Sequence, residues 1–433
     1  MAVTQPPPPS DRSFEQRRLG RKGLIAFIAM LSAFIPLSTD LYLPALPAMS
    51  KYFVAPEYQI NLTLILFFVF YAISMVVWGP LSDRYGRRPI ILIGLFGYTI
   101  AGMLCAASPN VFFLVLFRVI QAIGAGAGTA VANAIVKDVY RGRKRESVLA
   151  LVQSMIVISP AVAPMVGALL LGLTSWRGTF VAQAVLGAIV VIMAFAFVET
   201  LEVRTTGGVA SSLRRLAAVA GDSVFLTLLV TFGLLSLGGL AYISSSSYIY
   251  QETFGVGSLV FSLFFALFAV GLAIGPFVYL RLSRTFKRSS IVTGCLAVNV
   301  MSGVLILLLG GRGPWAFSLA VMPFAIAVSC IRPPATYLML DQHEHDAGSA
   351  SALMSSSQMV MGSIGMVIVS LQLGDRVHMI GLLYAVLGLV CGGMWLGVAL
   401  PLLRKKRQRE AEESGEAGRS GTTVKSAQQA EEG

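Results

Sequence analysis

Charge is scarce in this chain. Only 12% of its 433 residues are Asp, Glu, Lys or Arg, about half the share of an ordinary soluble domain. Histidine is rarer still, with three residues, and cysteine stops at four. Cys105, Cys295, Cys330 and Cys391 all lie in apolar runs, and no pair has the spacing of a zinc site or a disulfide framework. They read as small packing residues. No G-x-x-x-x-G-K-[ST] run offers a phosphate cradle, and no H-E-x-x-H run offers zinc ligands. His343 and His345 sit in the polar stretch from Asp341 to Asp346, which reads as a solvated loop, so no metal and no other cofactor is expected. These shortages exclude a disordered chain, a coiled coil and an ordinary soluble enzyme.

What the chain has instead is apolar length: 56% of its residues are hydrophobic. A membrane-spanning helix needs about 20 of them in a row. Apolar runs occur near 24–44, 60–80, 89–108, 111–136, 147–172, 178–198, 223–247, 258–280, 290–310, 315–340, 349–371 and 377–403. These twelve runs are too long and too unalternating for barrel strands. The expected fold class is an all-α membrane protein of twelve transmembrane helices in lipid.

The net charge of +12 has two readings: a nucleic-acid footprint, or basic loops on one side of a membrane. Placement decides between them. Of the 33 Lys and Arg, 27 fall in the N-terminus, every second connection after it and the C-terminal tail. The opposite connections hold four, Lys51, Arg177, Arg312 and Arg376, while Arg118 and Arg332 fall inside spans. That asymmetry is the positive-inside pattern, so no nucleic-acid partner is expected and both termini are expected in the cytoplasm. Arg17-Arg18 before the first run resembles a secretion signal, but the run is long, carries Asp40 and ends in Pro44 and Pro47 without a small-residue cleavage site. It reads as a retained helix in the inner (plasma) membrane.

Two halves echo each other at an offset near 200. Ser147 to Leu151 opens the fifth run and Ser349 to Leu353 opens the eleventh, while Leu81 to Arg88 after the second run is echoed by Leu282 to Arg288 after the eighth. The expected organisation is a disordered N-terminus over 1–20, a six-helix bundle over 21–198, and a linker over 199–222. A second six-helix bundle over 223–403 and a disordered tail over 404–433 complete it. Facing repeats around a midplane cavity are a common transporter plan.

Four segments carry more than span chemistry. Gly79-Pro-Leu-Ser-Asp83-Arg84-Tyr-Gly86-Arg87-Arg88 is more than a basic loop, because an acid sits among its arginines and a glycine marks a tight turn. A carboxylate beside guanidiniums forms charge-assisted bonds that latch helices and can break. Arg118 and Gln121 stand in an apolar run, followed by Gly124, Gly126 and Gly128. A charge there costs about 2.5–3.5 kcal/mol or more and faces a cavity or a partner. The fifth run holds Pro160, Ala163, Pro164 and Gly167, which reads either as a plain kinked helix or as a bendable, tightly packed one. The first run ends Asp40-Leu-Tyr42-Leu-Pro-Ala-Leu-Pro47.

The segment from Gly79 to Arg88 resembles the signature between helices two and three of the major facilitator superfamily. Arg118 and Gln121 resemble its arginine motif, with Ala122 where a glycine is usual. Pro160 to Ala168 resembles its antiporter motif, with Ala163 and Ala168 in place of two glycines. The Asp40 to Pro47 segment resembles the Bcr/CflA group of drug:proton antiporters, and the likeness runs from about 20 to 403, including Trp176-Arg177 and Tyr242 to Gln251. The resemblance implies proton-driven export of small drug-like molecules. Export of a metabolite, or proton-coupled uptake, is the second reading. An enzyme would need paired acids within the spans, and Asp40 is the one acid clearly inside a run; a channel would not need a duplicated gate.

Asp40 and Arg118 lie at similar depth and are expected to meet or to share a wet cavity, with Asp40 carrying the proton and a cationic substrate competing with Arg118 for it. Asp83 is expected to latch the two halves. Arg332, beside Pro333-Pro334, reads equally as a snorkelling residue or a cavity residue. Tyr42, Gln121, Tyr242, Tyr248, Met354 and Gln358 are expected to share a soft pocket with it or to be ordinary packing. The partners implied are a small-molecule substrate, protons and the bilayer, with the protein acting as a monomer.

Overall fold

In lipid each backbone N–H and C=O must find its partner inside its own segment, so apolar runs of this length fold as helices. The computed structural model, which describes residues 18–201, 204, 209–343, 346–406 and 408, is helical throughout and holds no strand among those residues. Residues 1–17, most of the tail after 406 and parts of the linker lie outside the described residues, and with them the expectations of disorder made for those stretches.

Eleven helices are long and apolar enough to cross a membrane, and a bent pair makes the twelfth. That pair is the first span: α1, Gly20–Asp40, followed by a 3-10 turn at Leu43–Ala45 and α2, Leu46–Phe53. Its two arms, Lys22–Phe34 and Pro36–Phe53, are bent by 48°, as expected where prolines remove backbone donors. The rest of the first half comprises α3, Glu57–Tyr85, α4, Arg87–Ala106, α5, Val111–Val139, α6, Gly142–Leu173, and α7, Trp176–Ala196. In the second half come α9, Ser223–Gly233, and α10, Leu235–Tyr248, which form one span; then α11, Ser258–Leu282, α12, Arg288–Leu309, α13, Pro314–Leu340, α14, Ala347–Ser370, and α15, Arg376–Met394. Some helices, α3 and α6 among them, outrun the expected apolar runs at both ends, since backbone hydrogen bonding continues past the hydrocarbon. A 29-residue helix such as α3 is about 44 Å long, against a bilayer core of about 30 Å. Alternation of the spans puts the basic connections at one end of the molecule, the basic end, and the sparsely charged ones at the other, the far end.

The linker is not structureless. Within it α8 runs from Val209 to Ala220. Ser212, Leu216, Val219 and Ala220 are shielded along one side while the arginines at 214 and 215 are exposed. That spacing is one helical face, and Val219 packs into the core of the second half.

Packing repeats between the halves. In the first, α1 lies on α6, α3 on α5, and α4 on both α5 and α7; in the second, α10 lies on α14, α11 on α13, and α12 on both α13 and α15. The cross-contacts, α3 with α14 and α6 with α11, exchange under the same repeat. Glycines set the closest approaches. A Cβ on Gly124 of α5 would run into the Gly94 carbonyl and the Tyr98 amide of α4, whereas Gly97, one turn along, faces open space.

Gly124→Ala is therefore expected to destabilise the first half by about 1–3 kcal/mol, an overpacking cost against rigid backbone. Gly97→Ala should be neutral or slightly stabilising, because alanine is the better helix former. Thermal unfolding of the two purified variants checks the contrast; equal melting temperatures would mean that α4 and α5 are not in backbone contact.

Candidate functional site

Arg118 sits at the centre of the first half and is fully buried. Its Nη1 donates to the Ser38 carbonyl at 3.2 Å and to Gln121 Oε1 at 2.7 Å, and its Nε to the Thr63 carbonyl at 3.4 Å. Gln121 in turn donates to Gln183 Oε1 of α7 at 3.1 Å. The guanidinium lies 4.2 Å from the Phe67 ring centre and 4.6 Å from that of Tyr42, a cation–π cage that partly replaces lost hydration. Tyr42 is anchored there by Thr63, with 3.1 Å between the hydroxyls. The remaining nitrogen of Arg118, Nη2, is buried without a hydrogen-bond partner.

Asp40 is not part of that cage. It is buried, its carboxylate accepts a hydrogen bond from Thr39 Oγ1 at 3.0 Å, and among the described residues no ion pair joins it to Arg118. The expected pair is thus corrected: the two buried groups sit on α1 and α5 with no ion pair between them, Asp40 two residues past the Ser38 carbonyl that Arg118 binds. The reason is helical phase. The Ser38 hydroxyl is engaged by Tyr98 of α4 and its carbonyl by Arg118, while Asp40, two residues on, lies about 200° around the helix from Ser38. Arg118 takes the backbone of this segment rather than its acid.

The break in the first span is held from the other side by α6. Gly167 lies where a Cβ would strike the Leu41 carbonyl, and Ala163 is fully buried. The Pro164 carbonyl accepts from Ser262 of α11, in the other half, at 2.9 Å. Pro160 and Pro164 each remove one internal donor from α6, so this helix touches both halves where its own ladder is weakest.

At the basic end Arg87 pairs with Asp83 at 2.5 Å and with Asp138 of α5 at 3.0 Å, and also donates to Ser82 Oγ at 2.7 Å. Glu199, just past α7, accepts the backbone N–H groups of Arg87 and Arg88, each at 3.0 Å, and so caps α4. The turn needs Gly86, whose φ is +107°, a conformation side chains resist. Arg88 reaches the Phe195 carbonyl of α7 at 2.8 Å. Arg84 lies 5.3 Å from the ring centre of Tyr85, and Gly79 faces open space. The expectation that Asp83 latches the two halves is corrected: its partner belongs to the same half, and this loop ties α3, α4, α5 and α7 to one another. Asp138 and Glu199 were missed. Their one signal is the oddity of acids at an end crowded with cations.

The halves are latched at the far end instead. Glu57 of α3 is buried and accepts from Arg376 of α15 at 3.0 Å and from Gln372 at 2.7 Å. Arg376 also pairs with Glu252, at the end of the α10 span, at 2.9 Å. Asn61 donates to Ser370 Oγ at 2.8 Å, and Gln251 donates to the Pro44 carbonyl at 3.0 Å. Sequence reasoning counted Arg376 only as a stray loop cation.

In the second half a cavity opens beneath this seal, enclosing about 840 Å³ including its open mouth, and lined by α9, α10, α11, α13 and α14. Arg332 and Gln358 line it. The other residues expected there do not. Tyr42 and Gln121 belong to the Arg118 cage. Tyr242 is buried behind Phe268, at 4.2 Å between ring centres; Tyr248 is buried with Arg376 above its ring at 5.5 Å; Met354 is core. Aromatic content points to packing as readily as to a pocket, and here packing won. Among the described residues no cluster of metal-ligating side chains occurs.

The family model described as Major Facilitator Superfamily matches residues 23–366. An uncharacterized MFS-type transporter, YdgK, of Bacillus subtilis is 30% identical over 79% of this chain and 87% of its own length. A chloramphenicol resistance protein of Pseudomonas aeruginosa is 29% identical over 86% of this chain and 91% of its own. A bicyclomycin resistance protein homolog of Haemophilus influenzae is 24% identical over 82% and 91%. Among solved structures, a bacterial homolog of the human lysosomal transporter Spinster superposes with a TM-score of 0.68 at 15% identity, covering 89% of this chain and 98% of that one. At that identity the likeness concerns the fold.

Two variants separate the roles of the two ends. Arg376→Gln leaves Glu57 as a buried carboxylate without its cation, a loss of about 3–5 kcal/mol for a buried pair. It should open the far end, read as a several-fold faster alkylation of a cysteine placed at Ser370; an unchanged rate would show that the junction does not hold the halves. At the basic end, Asp138→Asn should lower the melting temperature more than Asp83→Asn. The Asp83 side chain is 45% exposed against 18% for Asp138, and exposed pairs contribute little. The reverse order of melting temperatures would refute this ranking.

Proposed function

Because the chain belongs to the Major Facilitator Superfamily, we propose that it is a proton-coupled antiporter that exports small drug-like molecules by alternating access. Its function is transport rather than catalysis, and its relatives include proteins named for chloramphenicol and bicyclomycin resistance. The observation that carries the proposal is Asp40: a buried carboxylate, set in the broken first span between the Arg118 cage and the Pro-containing α6. A carboxylate takes up and releases a proton, whereas a guanidinium in practice does not. Asp40 is therefore the proton carrier and Arg118 the fixed positioning charge. On this reading the cavity communicates with the basic end while the Glu57–Arg376 junction is closed. Opening that junction while the basic end closes delivers substrate to the other side.

On this reading the bundles 21–198 and 223–403 move as two bodies joined by the linker 199–222. The basic end and both termini face the cytoplasm of the inner (plasma) membrane, and one chain suffices. Gly86 to Arg88 keep the first bundle rigid against the motion, and the antiporter segment from Pro160 to Gly167 lets α6 bend at the interface of the halves.

Everted membrane vesicles with a pH-sensitive dye provide the test, with chloramphenicol and bicyclomycin as the first compounds. Addition of a substrate should release protons through the wild-type protein, and Asp40→Asn should abolish the release while remaining in the membrane. Release by Asp40→Asn with a wild-type pH profile would place the carrier elsewhere.

A further inference from the structure

The cavity in the second half holds a positive charge and no negative one. Arg332 lines it with its side chain exposed to the open space. Among the described residues no acidic side chain lines the cavity, and no ion pair or hydrogen bond engages the guanidinium. Along α13, Arg332 lies eight residues before Leu340, about 12 Å short of the basic end. Snorkelling toward that end is disfavoured by direction. Helical side chains set out toward the N-terminus of their helix, and the N-terminus of α13 is at the far end. The guanidinium is thus presented to the cavity.

The neighbours of Arg332 complete a recognisable chemistry. Thr336 lies one turn along the same helix, and Ser236 of α10 and Gln358 of α14 line the same space. These are hydrogen-bonding groups without charge. The wall is aromatic: Phe268 is backed by Tyr242 at 4.2 Å, and Phe324 by Tyr384 at 3.6 Å between ring centres. An unneutralised guanidinium in an apolar, partly enclosed site is costly unless water or a ligand's negative charge satisfies it. A planar carboxylate matches its fork in two parallel hydrogen bonds.

We propose that this cavity selects aromatic molecules bearing a carboxylate, with Arg332 as the specificity-determining residue. The inference rests on the exporter reading of the cavity and names the substrate class. A cationic compound would meet like charge at Arg332, which reverses the expectation that a cation competes for Asp40.

The test is equilibrium binding to the full chain, purified in uncharged detergent at low salt, with a matched pair of probes: 2-naphthoxyacetate and its neutral amide, 2-naphthoxyacetamide. Affinity is read from ligand-induced thermal stabilisation. Wild type should bind the carboxylate about tenfold tighter than the amide, the scale of one charge-assisted hydrogen bond. Arg332→Gln should bring the ratio close to one, and Arg332→Lys should keep part of the preference. Equal binding of the two probes by wild type overturns the proposal, as does a carboxylate preference that survives Arg332→Gln. The wild-type comparison stands even where a variant fails to fold. No proton gradient is involved, so failure here leaves proton exchange in vesicles untouched, and failure of proton exchange leaves this ratio untouched.

Discussion

The junction between Glu57 and Arg376 governs what the rest of the molecule presents. It joins the first helix of one cross-contact to the last span of the other half, and Glu252 and Gln372 share its charge. While it holds, Asn61 stays against Ser370 and Gln251 against Pro44. The interaction suits a gate. Two charges withdrawn from water attract strongly but regain hydration when they part, so closed and open arrangements differ by less than the gross attraction.

The basic end works differently. There the charged network lies within one half, and its job is to keep a tight turn in shape. Glu199 receives four backbone amides, those of Arg87, Arg88, Thr200 and Leu201. It thereby fastens the start of α4 to the chain leaving α7. The charged contacts thus hold one half together at the basic end and join the two halves at the far end.

Arg118 shows how a span keeps a charge. It is held by carbonyls at Ser38 and Thr63, by an amide oxygen at Gln121 and by aromatic faces, so the nearby carboxylate of Asp40 is not drawn into an ion pair with it. A fixed ion pair would have tied up the one buried acid of this segment. Held apart from Arg118, the acid has Thr39 as its hydrogen-bond partner, while the arginine binds the same stretch of backbone.

The twelve spans, the duplicated halves and the two-ended charge pattern were legible in the sequence, because each follows from the local cost of placing apolar or charged residues in lipid. So were the motifs from Gly79 to Arg88 and from Asp40 to Pro47, since their residue order is itself the signal. The partners of those residues were not. That Asp83 meets Arg87, that Arg118 meets Ser38 rather than Asp40, and that Arg376 meets Glu57 are matters of helical phase and of which helices become neighbours. A change of two residues turns a side chain through about 200°, and contact between positions 57 and 376 exists only once the two halves are packed. The tertiary structure alone placed Arg332 in a cavity without an acid, because a single residue's burial says nothing of what surrounds it until the surrounding helices are in place.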